Sequence, residues 1–175
     1  MHTRFQSTAR SGHAASWLAV LCIIASFGLT RPVAAISRTA VIQETNRVRT
    51  GAHLNRLLRS TTLERAAVAK AESMFRQQYF GHTSPTGQNF WFWLGPNRSR
   101  FSQLGENIAR GYKNERILLQ DWMKSGGHRA NILGPAFTHL GIGIRSGRLS
   151  GKRVTVIVQL FGKKKVTTAL TTATN

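Results

Sequence analysis

The sequence predicts an α+β fold in one domain. Three observations carry this. A capped amphipathic segment runs over about 61–78, a second helical segment starts at Asn114, and two β-rich runs near 140–144 and 154–161 are joined by a glycine-bounded loop. Helices followed by an antiparallel hairpin segregate into packed α and β layers. The chain has 175 residues, the length of one domain at roughly 100–200 residues each. Its 41% hydrophobic content excludes wholesale disorder.

The first 35 residues read as an export signal. Arg4 and Arg10 precede an apolar run from Trp17 to Leu29, and Val33-Ala34-Ala35 offers small residues for cleavage. That is the pattern of a secretory signal peptide. Cleavage near Ala35 places the protein in a periplasm or the medium and removes Cys22, the single cysteine. The folded part, expected over 36–162, must then hold by packing alone or with a metal, because no disulfide can form. Residues 163–175, beginning Lys163-Lys164-Lys165 and rich in threonine, are expected to be a disordered tail.

Lys plus Arg number 25 against 6 Asp plus Glu, a formal net charge of +19. Such a surface seeks acidic envelope polymers or anionic lipid. No groove-reading module accompanies the charge, so no specific nucleic-acid partner is expected. No apolar run reaches the ~18 residues that an internal transmembrane helix needs.

Along the folded part, Ser37 to Thr50 is predicted helical, with Val41, Ile42, Thr45 and Val48 near helical spacing and Gly51 as its end. Thr61 and Glu64 form a capping-box pattern, and Leu63, Ala67, Ala71 and Met74 share one face of the helix they open. Gly81 to Gly87 is a loop holding His82, Ser84 and Pro85. Phe90-Trp91-Phe92-Trp93-Leu94 is expected to be a short helix that buries about half of its aromatics. The exposed ones would line a cleft mouth, stack on sugars or touch lipid. Phe101 to Ala109 is expected to be a short strand. Gly126-Gly127 breaks the helix that starts at Asn114, and His128 to Leu133 forms a further turn with Ser125 as its cap. Leu140-Gly141-Ile142-Gly143-Ile144 alternates apolar residues with glycine, so one face of that strand admits close approach. Val154 to Phe161 is the strongest strand signal, and Gly147 to Gly151 is the expected connection.

Three segments stand out in order: Phe80-Gly81-His82-Thr83-Ser84-Pro85, then Gly105-Glu106-Asn107-Ile108-Ala109, then Trp122 to Leu133 with Ser125-Gly126-Gly127-His128, followed by Gly141-Ile142-Gly143. Together they resemble the CAP superfamily of cysteine-rich secretory, antigen 5 and pathogenesis-related proteins. The cysteine-free form is similar to its short bacterial branch, the SCP domains. Asn46, Arg49, Leu63, Ala67 and Met74 fit that branch's upstream helices. The resemblance implies a three-layer α-β-α sandwich with a small, largely antiparallel sheet and a central cleft. It implies that two histidines and two acids face the cleft. His82, Glu106 and His128 match three of these, and the fourth position is Ser125.

Two imidazoles and one carboxylate can hold Zn²⁺ and leave a position for water. His82 and His128 are therefore candidate metal ligands, with Asn107 and Ser125 as their orienting partners. Alternatively, Glu106 accepts a hydrogen bond from both histidines and ties the loops together. Ser84 and Ser125 lack a Gly-x-Ser-x-Gly elbow. Asp121, one turn before Ser125, could replace the absent acid only if its helix rolled.

The expected function is an exported CAP-domain protein that binds at the envelope, its cleft offering His82, Glu106, Asn107, Ser125 and His128. The partners weighed are acidic polymers, anionic lipid, or a small apolar or lipid ligand. The alternatives are a metal-assisted hydrolase of peptide or cell-wall bonds using His82, Glu106 and His128, and a purely structural envelope protein.

Overall fold

Residues 35–166 are described by the structure, a computed structural model; the expected signal peptide and the end of the expected tail lie outside them. The first helix, α1 (Arg38–Gly51), starts where the Ser37 side chain accepts from Ala40 N. Its inward stripe is Val41, Glu44, Thr45, Asn46 and Arg49, so it buries polar side chains where apolar spacing pointed to Ile42 and Val48. Asn46 explains part of this: its amide donates to Leu57 O and accepts from Leu57 N, pinning the segment that follows.

That segment contains β1 (Leu58–Arg59), a two-residue strand absent from the sequence expectations. Helix α2 (Thr61–Arg76) is capped by Ser60, whose side chain accepts from Leu63 N. The expected capping box does not form. Glu64 turns instead to Arg38 and to Arg59, whose Nε and Nη2 donate at 2.7 and 3.0 Å. Two guanidinium partners outcompete one backbone N–H for a carboxylate.

Phe90–Arg100 is 3-10 helix, interrupted at Gly95, where φ is 52°. It leads into β2 (Phe101–Arg110), then α3 (Glu115–Lys124), capped by Asn114 on Ile117 N. Helix α4 (Gly126–Ile132) follows, with Ser125 between the two. Ser125 sits at the cap position, yet its side chain makes no capping bond, contrary to expectation.

Strands β3 (His139–Leu149) and β4 (Lys152–Lys164) form a longer hairpin than the alternation suggested. The connection shrinks to Ser150 and Gly151, with φ of 49° and 77°. Two consecutive positive φ values make a tight turn whose twist matches the strands. Gly147 stays in β3, paired with Val154, and the Phe75 ring lies against it. Lys163 and Lys164, assigned to the tail from sequence, continue β4, since Gln103 and Phe101 of β2 still pair with them.

The sheet order is β1-β3-β4-β2. Only β1 and β3 run parallel; the other pairs are antiparallel. Strand β4 alternates faithfully. Val156, Val158 and Leu160 face α2, while Ile157 and Phe161 join α1, α3 and α4. This two-sided packing is the α-β-α arrangement. Among the described residues no helix is long and apolar enough to cross a membrane.

Candidate functional site

Strand β2 lies at the edge of the sheet, hydrogen-bonded to β4 alone. An edge strand presents unpaired backbone groups on its free side. Asn131 of α4 donates to the carbonyl of Glu106 at 3.0 Å, and the Trp122 indole of α3 reaches that of Ile108 at 3.4 Å. The site residues are therefore placed by the cover that this edge requires.

Side chains of β2 alternate between the faces of the sheet. Ile108 joins the α2 core and Ala109 the α3 core, so Glu106 belongs with the α2 side and Asn107 with the α4 side. On the first side, Glu106 is buried, with its side chain 1% exposed. The His82 Nδ1–H donates to Glu106 Oε1 at 2.7 Å, while the His82 side chain remains 59% exposed. Glu106 Oε2 is buried without a hydrogen-bond partner.

The loop that carries His82 is held from below. Lys70 of α2 is fully buried, and its Nζ donates to His82 O at 2.9 Å and to Tyr79 Oη at 3.1 Å. The ammonium also sits 4.6 Å from the Trp93 ring centroid and 5.0 Å from that of Tyr79. Two oxygens and two ring faces replace the water that a buried cation loses. Ser84 closes the same loop. Its Oγ accepts from Gln88 N at 3.0 Å and lies 2.9 Å from Thr86 Oγ1. Buried and knotted in this way, Ser84 is a turn residue and no nucleophile.

On the second side, Asn107 Nδ2 donates to His128 O at 3.2 Å and to Gln159 Oε1 at 3.1 Å. Asn107 Oδ1 accepts from Asn131 Nδ2 at 2.9 Å, and Gln159 Nε2 donates to Thr45 Oγ1 at 2.9 Å. This buried chain of amides joins α1, β4, β2 and α4. Asn107 thus positions His128 through its backbone. The His128 ring packs 6.0 Å from Trp122, centroid to centroid.

Burial raises the Glu106 pKa, with the His82 bond and the Lys70 charge opposing it. The hydrogen bond to Glu106 raises the His82 pKa. Burial, then the positive charge of His82, lowers that of His128. The expectation that Glu106 holds both histidines is not met: its hydrogen bond is to His82. Ser125 contributes no hydrogen bond to α4 as its cap. Asp121 faces Tyr112 and Lys124, at 3.0 and 2.9 Å, and does not supply a second acid. Among the described residues no three His, Cys, Asp or Glu side chains gather as a metal-holding group. The donor set does not fit a ready-made three-ligand zinc site.

Lys70, Asn131 and Gln159 were not singled out from sequence as site residues. Lys70 and Gln159 occur in helix and strand runs that read as ordinary packing. Asn131 was visible only as part of the segment around His128.

The pKa directions carry a prediction. His82 binds its proton more tightly when folded, so its protonation stabilises fully below about pH 6.5 for as long as Glu106, whose pKa burial raises, stays ionised. That contribution fades as pH rises through the raised value. Above that value what remains is a buried, half-partnered carboxylate. Glu106→Gln is therefore expected to lower the His82 pKa, read by NMR titration, and to leave thermal stability equal or higher at pH above the His82 titration. A His82 titration unchanged by the substitution contradicts the pairing.

The architecture defines an α+β sandwich with a histidine–glutamate pair on the edge of its sheet. Residues 42–161 match the CAP family, the cysteine-rich secretory protein family, and the chain belongs to it. It is 38% identical over 110 residues to YkwD of Bacillus subtilis, covering 62% of this chain and 43% of that protein. It is 31% identical over 108 residues to the Bacillus subtilis membrane protein YlbC, covering 62% and 31%. The chain thus spans less than half the length of these relatives. An extracellular SCP-domain protein from Bacillus anthracis superposes with TM-score 0.62 at 30% identity, over 73% of this chain and 40% of that one. An outer surface protein from Borrelia burgdorferi gives TM-score 0.62 at 22% identity, over 73% and 92%, a likeness of fold.

Proposed function

We propose that this chain is an exported CAP-domain module that binds a ligand of the cell envelope at the Glu106 seat. The carrying observation is Glu106 Oε2, a buried carboxylate oxygen without a hydrogen-bond partner. A ligand hydroxyl, amide or ammonium would supply the donor it lacks, and forming that bond offsets the cost of burying the carboxylate. The His82 ring bonded to the same carboxylate is exposed, so a ligand can reach it from solvent. Trp91 and Phe92, 39% and 55% exposed, offer apolar faces nearby in sequence for a sugar or an acyl chain. The net charge of +19 would hold the module near acidic polymers or anionic lipid. The extracellular Bacillus anthracis relative supports export.

Two measurements test this reading. Intact mass of the secreted protein should place its N-terminus at Ile36, without Cys22; retention of Cys22 refutes the processing. Sedimentation with purified peptidoglycan sacculi should retain the parent and fall at least tenfold for Glu106→Gln. Equal retention of the two proteins removes the Glu106 seat.

The hydrolase reading keeps one observation in its favour: a carboxylate orients an exposed imidazole, as a general base requires. Against it, Ser84 is tied into its loop, and the described residues gather no three-ligand metal set. Release of soluble fragments from casein or peptidoglycan, abolished by His82→Ala, would favour it.

A further inference from the structure

The Glu106 seat leaves a strongly basic surface unused. That patch lies at the far end of β2, where the 3-10 helix ends, β4 finishes and β3 starts. A cavity of about 330 Å³ opens there, lined by Arg59, Ser60, Thr61, Thr62, Arg65, Arg100, Phe101, His139 and Lys164. A second hollow continues it along Ser99, Arg100, Lys164 and Lys165. Glu106 is five residues further along β2, about 17 Å at ~3.4 Å per residue.

We propose that this cavity is a binding site for a tetrahedral oxyanion, a phosphate or sulfate group. The site deepens the envelope-binding reading by naming a partner chemistry, and rests on that reading only for its biological setting.

The argument is one of unbalanced charge. Four cationic side chains, from β1, α2, the 3-10 helix and β4, line one cavity with no carboxylate in its wall. Arg59 is neutralised by Glu64, which lies outside the wall. Among the described residues Arg65 and Lys164 have no ion pair, and Arg100 reaches only Asn97 Oδ1, at 3.4 Å. Elsewhere the few acids are used closely: Glu44 pairs with Arg47, Glu72 with Arg145, Asp121 with Lys124. Like charges converging without a counter-ion repel one another, and a bound oxyanion reverses that sign.

The donors have the right kinds. Arginine matches two oxygens of a phosphate or sulfate at once, lysine acts as a point charge, and Ser60, Thr61 and Thr62 bring hydroxyls. Phe101 is buried, and its ring packs against Gly162 on β4, giving the cavity a firm floor. The cavity exceeds a bare phosphate in volume, so it would also admit the group that carries the oxyanion.

His139 reports on occupancy. It lines the cavity, and burial together with Lys164 lowers its pKa. The groups facing it in the wall are Arg59, Arg65, Arg100 and Lys164. A bound anion should move its titration upward.

The test titrates inorganic pyrophosphate into the full-length protein at low salt, read by calorimetry and by NMR of Thr61, Thr62 and His139. Expected are saturable one-to-one binding, an upward shift of the His139 titration, and at least a tenfold weaker Kd in the double variant Arg100→Ser, Lys164→Ser. A charge-matched control, Lys113→Ser with Arg116→Ser on the α3 side, should stay within twofold. Absence of saturation, or equal losses in both double variants, overturns the site and leaves only bulk charge. Co-sedimentation with phosphatidylglycerol vesicles, against phosphatidylcholine, separates the sources. Retention that requires Arg100 and Lys164 assigns the oxyanion to a lipid headgroup, and pyrophosphate binding without vesicle retention assigns it to a soluble phosphate. The Glu106 seat is tested on sacculi with a different variant, so either site can fail alone.

Discussion

Arg49→Ala is expected to destabilise the protein by about 4 kcal/mol, from a large-to-small cavity and carbonyls left unbonded in the interior. Calorimetry should show a fall of about 12 °C in the unfolding temperature, at roughly 3 °C per kcal/mol for a domain of this size. The reason is the setting of the side chain. Arg49 is fully buried, and its partners are backbone oxygens: Asn55 O at 2.9 Å, Ile132 O at 2.7 Å and Gly134 O at 2.9 Å. No carboxylate shares the site, and burial lowers its pKa. Three orphaned carbonyl groups from two separate segments converge on one planar donor. Lysine cannot serve them together, so Arg49→Lys should recover less than half of the loss. Because Ile132 ends the helix that carries His128 and Asn131, the same substitution should broaden the NMR signals of His128. A variant that melts within about 3 °C of the parent would show that these carbonyls find water.

Gly143→Ala is expected to cost at least about 3 kcal/mol, the upper end of ordinary overpacking. A methyl group there would lie 2.3 Å from the Ala67 carbonyl carbon and 2.5 Å from Val68 N, all backbone of α2. At Gly141 it would lie 2.2 Å from Glu64 N and 2.4 Å from the Leu63 carbonyl carbon. Side chains can turn aside, whereas a helix backbone can only move as a whole. Moving α2 off β3 also moves Lys70, which holds the His82 loop. The variant should therefore lose stability and shift the His82 titration together. Gly126→Ala, where a methyl meets open space, should leave both unchanged. Denaturant unfolding of the two variants side by side settles it; near-equal midpoints would refute the close-packing argument.

The helices and the hairpin were legible because each follows from local pattern. Apolar residues at helical spacing mark α2, Asn114 marks the start of α3, and period-two alternation marks β4. The glycines of β3 also announced their purpose, since alternating glycine leaves one face open to a neighbour. The pairing partners were not legible. Strand β1 has two residues and is a strand only because β3 offers an edge to it. The capping box at Thr61 failed because Arg38 and Arg59, distant from the local pattern, claim Glu64.

The same division runs through the site. His82, Glu106 and His128 could be named because chemically capable side chains stood beside glycines within segments that resemble a family. Their bonding could not be named. Whether Glu106 holds one histidine or two depends on which face of the edge strand each side chain takes. Whether a lysine in an amphipathic helix is wet or buried depends on what folds over it. Lys70 stands between two alanines, a local pattern that leaves its burial open; it is fully buried because Trp93, Tyr79 and the His82 carbonyl close around it. The charge total is set by composition alone, but the gathering of Arg65, Arg100 and Lys164 around one cavity is set by strand register and helix docking. Local pattern is a matter of neighbours along the chain, within about four residues. Desolvation and charge pairing act between groups close in space, and in this fold those groups are brought together across tens of residues.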